Sequence, residues 1–281
     1  MGYFINMNKY MKIGIIGLGF VGSAMYKSFI EKTLNKKDYE IIGYDKYKES
    51  PNSFNDCLSC DVLFTVLPTL YDDTEKSYDN SPTFSVLEEI NNNKYNNVIV
   101  IKSTVEPKFT ENISKIYPNI NFIHNPEFLT AKTAYIDFHN QTHIVLGKTT
   151  SCDSDKYKLV YNFYTKLYPN AHISECNSTE SETMKIACNS FYAVKIQYFN
   201  EIYKLAECLG EDYNKILELM LKNNWINPMH TQVPGSDGKL SYGGMCFPKD
   251  TSALCSFMET NDVPCEVLKA CISERNKMRL V

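Results

Sequence analysis

One cysteine has neighbours that favour nucleophilic chemistry. Cys246 lies between two glycines and residues typical of a helix start, namely Gly243, Gly244, Pro248, Lys249 and Asp250. Proline suits the first turn of a helix, an acid suits its positive end, and glycines let a substrate carbon reach the sulfur. Because Lys249 and the helix N-terminus would favour the thiolate, Cys246 is predicted to be a covalent nucleophile.

A second group of glycines is typical of dinucleotide binding. Gly17, Gly19 and Gly22 form G-x-G-x-x-G directly after an apolar run, and Asp45 ends the next run. In this pattern the glycines allow a tight turn, the approach of a pyrophosphate and close helix packing, while the helix N-terminus from about Val21 faces the phosphates. An acid at this distance accepts ribose hydroxyls and repels a 2′-phosphate, which favours NAD over NADP. The predicted cofactor contacts here are Gly17, Gly19, Phe20, Val21, Gly22 and Asp45.

Hydrophobic periodicity predicts the elements that position these residues. Six β-like runs alternate with helical stretches, at 12–16, 40–44, 61–66, 98–102, 120–123 and 142–146. This alternation favours right-handed βαβ units and a parallel sheet. From Ser178 to Leu209, apolar residues recur at helical spacing, and Gly210 is a plausible C-cap. Further helices are predicted near 212–222 and after Gly244.

The predicted fold class is therefore α/β: a Rossmann-like doubly wound parallel sheet, then a long helix and a small all-α domain. The predicted boundaries are an N-terminal extension over 1–10, an NAD-binding domain over 11–176 and a central helical domain over 177–281. A length of 281 residues fits two domains of roughly 150 residues each.

Composition excludes several classes of protein. With 43% hydrophobic and 22% charged residues, the chain is not expected to be disordered, and a net charge of −4 argues against nucleic-acid binding. We find no apolar run of about 18 residues and no signal peptide. Ten scattered cysteines do not suggest a disulfide scaffold, and the lone pair Cys57 and Cys60 does not complete a metal site. We expect a cytoplasmic protein without a metal.

Five motifs occur in the same order as in the UDP-glucose/GDP-mannose dehydrogenase family, and the chain resembles that family from about residue 11 to 281. Besides the first glycine group, they are S-T-V at 103–105, N-P-E-F-L at 125–129, E-x-x-K-x-x-x-N-x-F at 182–191 and G-G-x-C-F-x-K-D at 243–250. Members of the family oxidise the C6 alcohol of a nucleotide sugar to a carboxylate with two NAD, through a cysteine thioester.

The resemblance implies roles for individual residues. Cys246 would be the nucleophile. Lys185 and Asn189, four residues apart and so on one helical face, would stabilise an oxyanion. Asp250 would hold a water or base with Lys185, and Glu127 would be the acid/base carboxylate of the hydrolytic half.

Further binding residues follow from the same resemblance. Thr104 would position a water or the nicotinamide, and the predicted cofactor set is completed by Thr69, Thr104 and Lys249. The predicted substrate contacts are Phe128, Leu129, Lys185, Asn189, Gly243 and Gly244. The resemblance implies UDP-glucose as the default substrate and a homodimer through the central helices.

The sequence departs from the family pattern at two places. Ala131 stands where the family often has a second Glu, four residues after Glu127. The sequence ends at Val281, whereas members typically continue for another hundred residues or more as a third domain that grips the nucleotide. We therefore expect this chain to lack that domain.

Two other functions stay open. A two-domain β-hydroxyacid dehydrogenase also pairs an α/β domain with a helical one, and its K-x-x-x-N helix would match Lys185 and Asn189, but it needs no cysteine. An NAD-binding remnant that serves as a partner subunit would fit Ala131 and the short chain.

Overall fold

The computed structural model describes residues 10–36 and 38–279. Apart from Tyr10, the predicted N-terminal extension lies outside the described residues. The strands are β1 Met11–Ile16, β2 Tyr39–Tyr44, β3 Val62–Thr65, β4 Leu70–Asp72, β5 Ser77–Asp79, β6 Val98–Ile101, β7 Asn121–His124, β8 His143–Lys148 and β9 His172–Asn177. The helices are α1 Phe20–Thr33, α2 Phe54–Leu58, α3 Ser81–Asn92, α4 Phe109–Ile116, α5 Ala134–His139, α6 Ser154–Leu167, α7 Ser178–Leu209, α8 Tyr213–Leu221, α9 Phe247–Thr260 and α10 Glu266–Arg279.

The chain divides into two compact units. Among the described residues, the first comprises 10–69 (without 37) together with 80–183, and the second comprises 70–79 together with 184–279. The hairpin of β4 and β5 therefore belongs to the helical unit, although it lies within the first third of the chain. Nothing in the sequence indicated this placement.

The first unit is built on a seven-stranded sheet in the order β2-β1-β3-β6-β7-β8-β9. All neighbouring strands are parallel except β7 and β8. The predicted α/β class is confirmed, and each of the six predicted strands is present. The strand order reverses at β1, so ligand-binding residues are expected where β1 and β3 end.

The central strands are apolar throughout because both faces of the sheet are covered. In β6, Val98 and Val100 pack into the core on one face, while Ile99 and Ile101 pack into the core on the other. This continuous Val/Ile run is characteristic of buried parallel strands. Because β6 is buried in the middle of the sheet, the polar residues that follow it lie at the carboxyl edge of the sheet.

The long helix α7 spans Ser178–Leu209, as predicted from its periodicity. It ends at Gly210, whose φ of +71° is left-handed, and the N–H of Glu211 donates to the carbonyl of Ala206 at 2.9 Å. The predicted glycine C-cap is confirmed. No helix in the described residues is long and apolar enough to cross a membrane.

Candidate functional site

The three glycines after β1 are constrained by the space around them. Gly17 has φ +98°, and a Cβ on it would lie 2.3 Å from the carbonyl oxygen of Val66. A Cβ on Gly22 would lie 1.8 Å from the carbonyl oxygen of Gly17, whereas a Cβ on Gly19 would meet nothing within 4 Å. Two glycines therefore make the turn and the helix packing possible, and the third leaves open space at the start of α1.

Asp45, at the end of β2, is tied back to this turn. Its Oδ2 accepts the N–H of Leu18 at 2.7 Å, and its Oδ1 accepts the N–H of Tyr47 at 2.9 Å. A carboxylate has about four acceptor positions, so both oxygens can still accept ribose hydroxyls. The first turn of α1, from Phe20, contains no acid and no capping side chain that would compete with a phosphate. These residues fit a dinucleotide, and the open space at Gly19 fits its pyrophosphate.

Polar residues after β3 and β6 bind each other. The hydroxyl of Thr69 donates to the carbonyl of Thr104 at 2.9 Å. The hydroxyl of Ser103 donates to the carbonyl of Leu67 at 2.7 Å and accepts its N–H at 3.0 Å. The two predicted cofactor threonines are therefore neighbours at the carboxyl edge of the sheet.

The segment after β7 is held by a buried lysine. The ammonium of Lys102 donates to Oδ1 of Asn125 at 2.9 Å and to the carbonyl of Pro126 at 3.2 Å. The same amide of Asn125 accepts from Tyr164 at 2.5 Å and donates to the carbonyl of Val145 at 2.7 Å. Three groups therefore hold the Asn125 side chain in place, and this determines the position at which residues 126–129 leave β7.

Glu127 follows this anchor and is half-buried. Its Oε2 accepts the N–H of Leu129 at 2.6 Å, which closes a tight local turn. The ring of Phe128 is exposed and stacks on His143 with centroids 5.9 Å apart. Ala131 lies in an exposed turn. Glu127, Phe128 and Leu129 therefore form one short segment of the first unit.

In the second unit, Asp250 forms the centre of a buried cluster. Its carboxylate is fully buried and accepts from Nδ2 of Asn189 at 2.6 Å, from Nζ of Lys249 at 2.6 Å and from the hydroxyl of Tyr78. Lys249 also lies over the ring of Tyr78, 4.5 Å from its centroid. Three donors, one of them charged, offset the cost of burying this carboxylate.

The face of α7 that carries Lys185 and Asn189 is not a solvated surface. Lys185 is 4% exposed and Asn189 is 7% exposed. Only one N–H of the Asn189 amide is used by Asp250, so the second remains available as a donor. The two predicted oxyanion residues therefore lie one turn apart on a buried helical face.

Cys246 is the N-cap residue of α9 and is exposed. Its carbonyl accepts the N–H of Asp250 at 2.9 Å, which is the first hydrogen bond of the helix. Gly244 precedes it with φ +76° and open space where a Cβ would stand. The thiol therefore lies at the positive end of a helix, where a thiolate is favoured.

The loop before Cys246 is anchored by side chains that the motifs did not reveal. The N–H of Ser241 donates to Oδ1 of Asn200 at 2.8 Å, and its hydroxyl donates to Gln197 at 2.5 Å. From α10, Arg275 donates to the carbonyl of Tyr242 at 3.3 Å. Sequence reasoning missed Tyr78, Arg275 and Arg279. They lie far from the motifs along the chain, and no local pattern could have found them.

Comparison with known proteins follows this division. The sequence model of the UDP-glucose/GDP-mannose dehydrogenase family NAD binding domain matches residues 26–166, and that of the central domain of the same family matches residues 179–277. The chain belongs to this family. The predicted family is confirmed, and so is NAD as the cofactor of its first domain.

Individual relatives agree with this result. A UDP-glucose 6-dehydrogenase of Rickettsia felis is 35% identical over 193 residues, which cover 65% of this chain and 40% of the relative. One of Campylobacter jejuni is 25% identical over 96% of this chain and 72% of the relative. The structure of a UDP-glucose dehydrogenase from Pyrobaculum islandicum superposes with a TM-score of 0.81 at 22% identity, over 98% of this chain and 70% of the other.

Proposed function

We propose that this protein oxidises the C6 alcohol of UDP-glucose to the carboxylate by four electrons, through a thioester on Cys246. The observation that carries the proposal is an exposed thiol at the start of α9, two residues after a glycine with open space. The buried cluster around Asp250 lies in the first turn of the same helix. UDP-glucose is the proposed substrate because the relatives described above bear its name.

The thiol has the chemistry for the second oxidation. When NAD is bound, it accepts a hydride from the carbon being oxidised. Loss of a first hydride and of the hydroxyl proton turns the alcohol carbon into an aldehyde. The sulfur of Cys246 attacks that carbon and forms a thiohemiacetal, and loss of its hydroxyl proton and of a second hydride, to a second NAD, leaves a thioester. The helix N-terminus of α9 favours the thiolate that starts this step.

Lys185 and Asn189 are proposed to bind the substrate oxygen. An ammonium and a free amide N–H, one turn apart on α7, can stabilise negative charge as it develops on that oxygen. Asp250 fixes the Asn189 amide by accepting its other N–H at 2.6 Å. In this proposal Asp250 acts mainly by orienting the Asn189 amide.

Hydrolysis of the thioester needs an acid/base group. We assign this role to Glu127, a half-buried carboxylate after β7, with Phe128 and Leu129 contacting substrate. Thr104 is proposed to position the water or the nicotinamide.

For the pyrophosphate and the adenosine ribose, the proposed cofactor contacts are backbone groups and one acid. Gly17, Gly19 and the start of α1 would hold the pyrophosphate, and Asp45 would hold the adenosine ribose. Lys249 is engaged by Asp250 and Tyr78, so its proposed contact with NAD needs a change of partner.

A homodimer through the central helices is supported by one face of α7. Phe191, Tyr198 and Leu205 follow one another at seven-residue spacing and are 61%, 51% and 52% exposed. Exposed large apolar side chains in a row favour an interface. None of the ten cysteines, all within the described residues, forms a disulfide, which supports the proposed cytoplasmic location.

The experiment that tests the function is incubation of the protein with NAD and UDP-glucose while NADH is followed by absorbance. Two NADH per UDP-glucuronate are expected, and Cys246→Ser should abolish carboxylate formation. NAD binding without NADH, in a protein shown to be folded, would contradict the proposal and favour a non-catalytic partner subunit. Full turnover in Cys246→Ser would favour a β-hydroxyacid dehydrogenase.

A further inference from the structure

The two glycines before Cys246 differ in their surroundings. Gly244 is left-handed, with φ +76°, and a Cβ on it would meet nothing within 4 Å. Gly243 does not have a left-handed backbone, but a Cβ on it would lie 2.6 Å from Nη2 and 2.7 Å from Nη1 of Arg279. Gly244 therefore suits its left-handed backbone, whereas a side chain at Gly243 would displace the guanidinium group of Arg279.

Arg279, in the last turn of α10, is held over Gly243 from two sides. Its Nη2 donates to the carbonyl of Ser241 at 2.8 Å, and its Nη1 donates to Oδ2 of Asp237 at 2.7 Å. This hydrogen bond from Arg279 lowers the pKa of the Asp237 carboxyl. Because the guanidinium group is planar and rigid, these two hydrogen bonds determine its position.

Arg275 repeats this contact one turn earlier on the same face of α10. Its Nε donates to the carbonyl of Tyr242 at 3.3 Å, and its guanidinium lies 5.7 Å from the centroid of the Tyr242 ring. Residues four apart on a helix are neighbours, so the two arginines bind successive carbonyls of one loop. Only three residues lie between Tyr242 and Cys246, so these bonds determine the path of the loop that leads to the sulfur.

We propose that Arg279, with Arg275, is a positioning residue for Cys246, and that Gly243 is the seat of the Arg279 guanidinium. This inference rests on the proposed function. The two glycines then have different roles. Gly244 leaves open space for a substrate carbon, whereas the space beside Gly243 is filled by the guanidinium group of Arg279. Of these two glycines, both expected from sequence to contact substrate, only Gly244 is free to do so.

A double-mutant cycle, measured as thermal stability, tests the close contact between Gly243 and Arg279 and does not require enzyme activity. Gly243→Ala should lower Tm by about 4 °C, but by less than about 1 °C when Arg279→Met is also present, because the clashing group is then gone. Gly244→Ala is the matched control, since its strain comes from the backbone and should be equal in both backgrounds. Equal losses for Gly243→Ala in both backgrounds would overturn the proposal.

The positioning role is tested on the thiol itself. Alkylation of Cys246 by iodoacetamide at pH 7, followed by peptide mass spectrometry, should slow about threefold in Arg279→Met, because the sulfur is no longer held at the start of α9. Cys208, exposed on α7, is the internal reference and should react at its normal rate. An unchanged or faster reaction of Cys246 would overturn the role.

Turnover separates positioning from simple loss of stability. Well below Tm, Arg279→Met should lower kcat about tenfold with an unchanged KM for NAD, and Arg279→Lys should recover part of the loss because it keeps the charge without the planar fork. An unchanged kcat would count against the role. Absence of NADH in the wild type would refute the proposed function, and the alkylation and Tm experiments would still decide this inference.

Discussion

The two glycine turns of this protein are shaped by different kinds of atoms. Around Gly17 and Gly22 the close neighbours are backbone carbonyls, whereas the close neighbour of Gly243 is the side chain of Arg279. Backbone atoms of a sheet cannot move without breaking its ladder, but a side chain can be removed. The turn after β1 is therefore shaped by backbone atoms, whereas the loop before Cys246 is shaped by side chains that are distant along the sequence.

The largest expected effect is at the backbone-shaped turn. Gly22→Ala places a Cβ 1.8 Å from the carbonyl oxygen of Gly17, which neither helix nor turn can accommodate. We expect a loss of more than about 5 kcal/mol in the free energy of unfolding, measured by urea titration, and no NAD binding by calorimetry. Gly19→Ala is the matched control. It should fold normally because its Cβ is in open space, yet bind NAD at least tenfold more weakly. If the Gly22→Ala protein were stable and bound NAD, the turn after β1 would tolerate a side chain, and the proposed difference between the two glycine turns would be wrong.

The second prediction concerns the side-chain-built site. Asp250→Asn turns one acceptor into an amide that faces the Asn189 donor at 2.6 Å and leaves Lys249 without a charged partner. We expect a loss of about 4 kcal/mol in the free energy of unfolding, because breaking a buried ion pair leaves a charge uncompensated. Tyr78→Phe, which removes the hydroxyl donor to Asp250 but no charge, is the control and should cost about 1 kcal/mol. If both variants lost the same free energy of unfolding, the charge of Asp250 would not be what stabilises this cluster.

The third prediction uses a buried carboxylate of the first unit whose oxygens accept backbone groups. Glu182 accepts the N–H groups of Lys108 and Thr110, both at 2.7 Å, and burial raises the pKa of Glu182 from its ordinary value near 4.5 to about 7. Between these pH values the folded protein holds a proton that the unfolded chain has lost, so this group's contribution to stability falls as pH rises.

Glu182→Gln should remove that dependence. The difference in unfolding free energy between wild type and variant should fall by up to about 3 kcal/mol between pH 4.5 and 7, as measured by urea titration across this range. Thr183→Ala, at an exposed position next to Glu182 on α7, is a control that removes no titratable group, so its curve should run parallel to that of the wild type. Parallel curves for wild type and Glu182→Gln would show that Glu182 does not titrate there.

The smallest expected effect on stability is at Cys246, the proposed nucleophile. Cys246 is exposed, so Cys246→Ser should change the free energy of unfolding by less than about 0.5 kcal/mol while abolishing carboxylate formation. The measurement is a urea titration beside the NADH assay. A large loss of stability would mean that the thiol is part of the loop's packing.

Sequence reasoning succeeded where physical causes are local. The helix over 178–209 followed from its 3.6-residue period, Gly210 from the need for a left-handed cap, and Gly17, Gly19 and Gly22 from the turn that a strand and helix require. Strand β9 was not predicted. Its burial pattern is intermediate and exposed throughout, so it lacks the apolar run that marks the central strands.

The partners of the reactive residues could not be predicted in this way. Tyr78 reaches Asp250 across 172 residues of sequence, and Arg279 reaches Ser241 across 38. Neither pair has a periodicity or a local spacing that joins it. The motifs identified Asp250 and Cys246 as chemically interesting but did not show what holds them.

By itself, the sequence determined the class of fold, the family, the cofactor and the candidate nucleophile, because each depends on residues within one turn, one helix or one strand. Only the tertiary structure decided that Asp250 is clasped by Tyr78, Asn189 and Lys249, and that α10 reaches the loop before Cys246. The physical reason is that the partners of a buried charge, and the neighbours of a close-packed glycine, are the groups that tertiary packing brings near. Their distance along the sequence does not determine which groups these are.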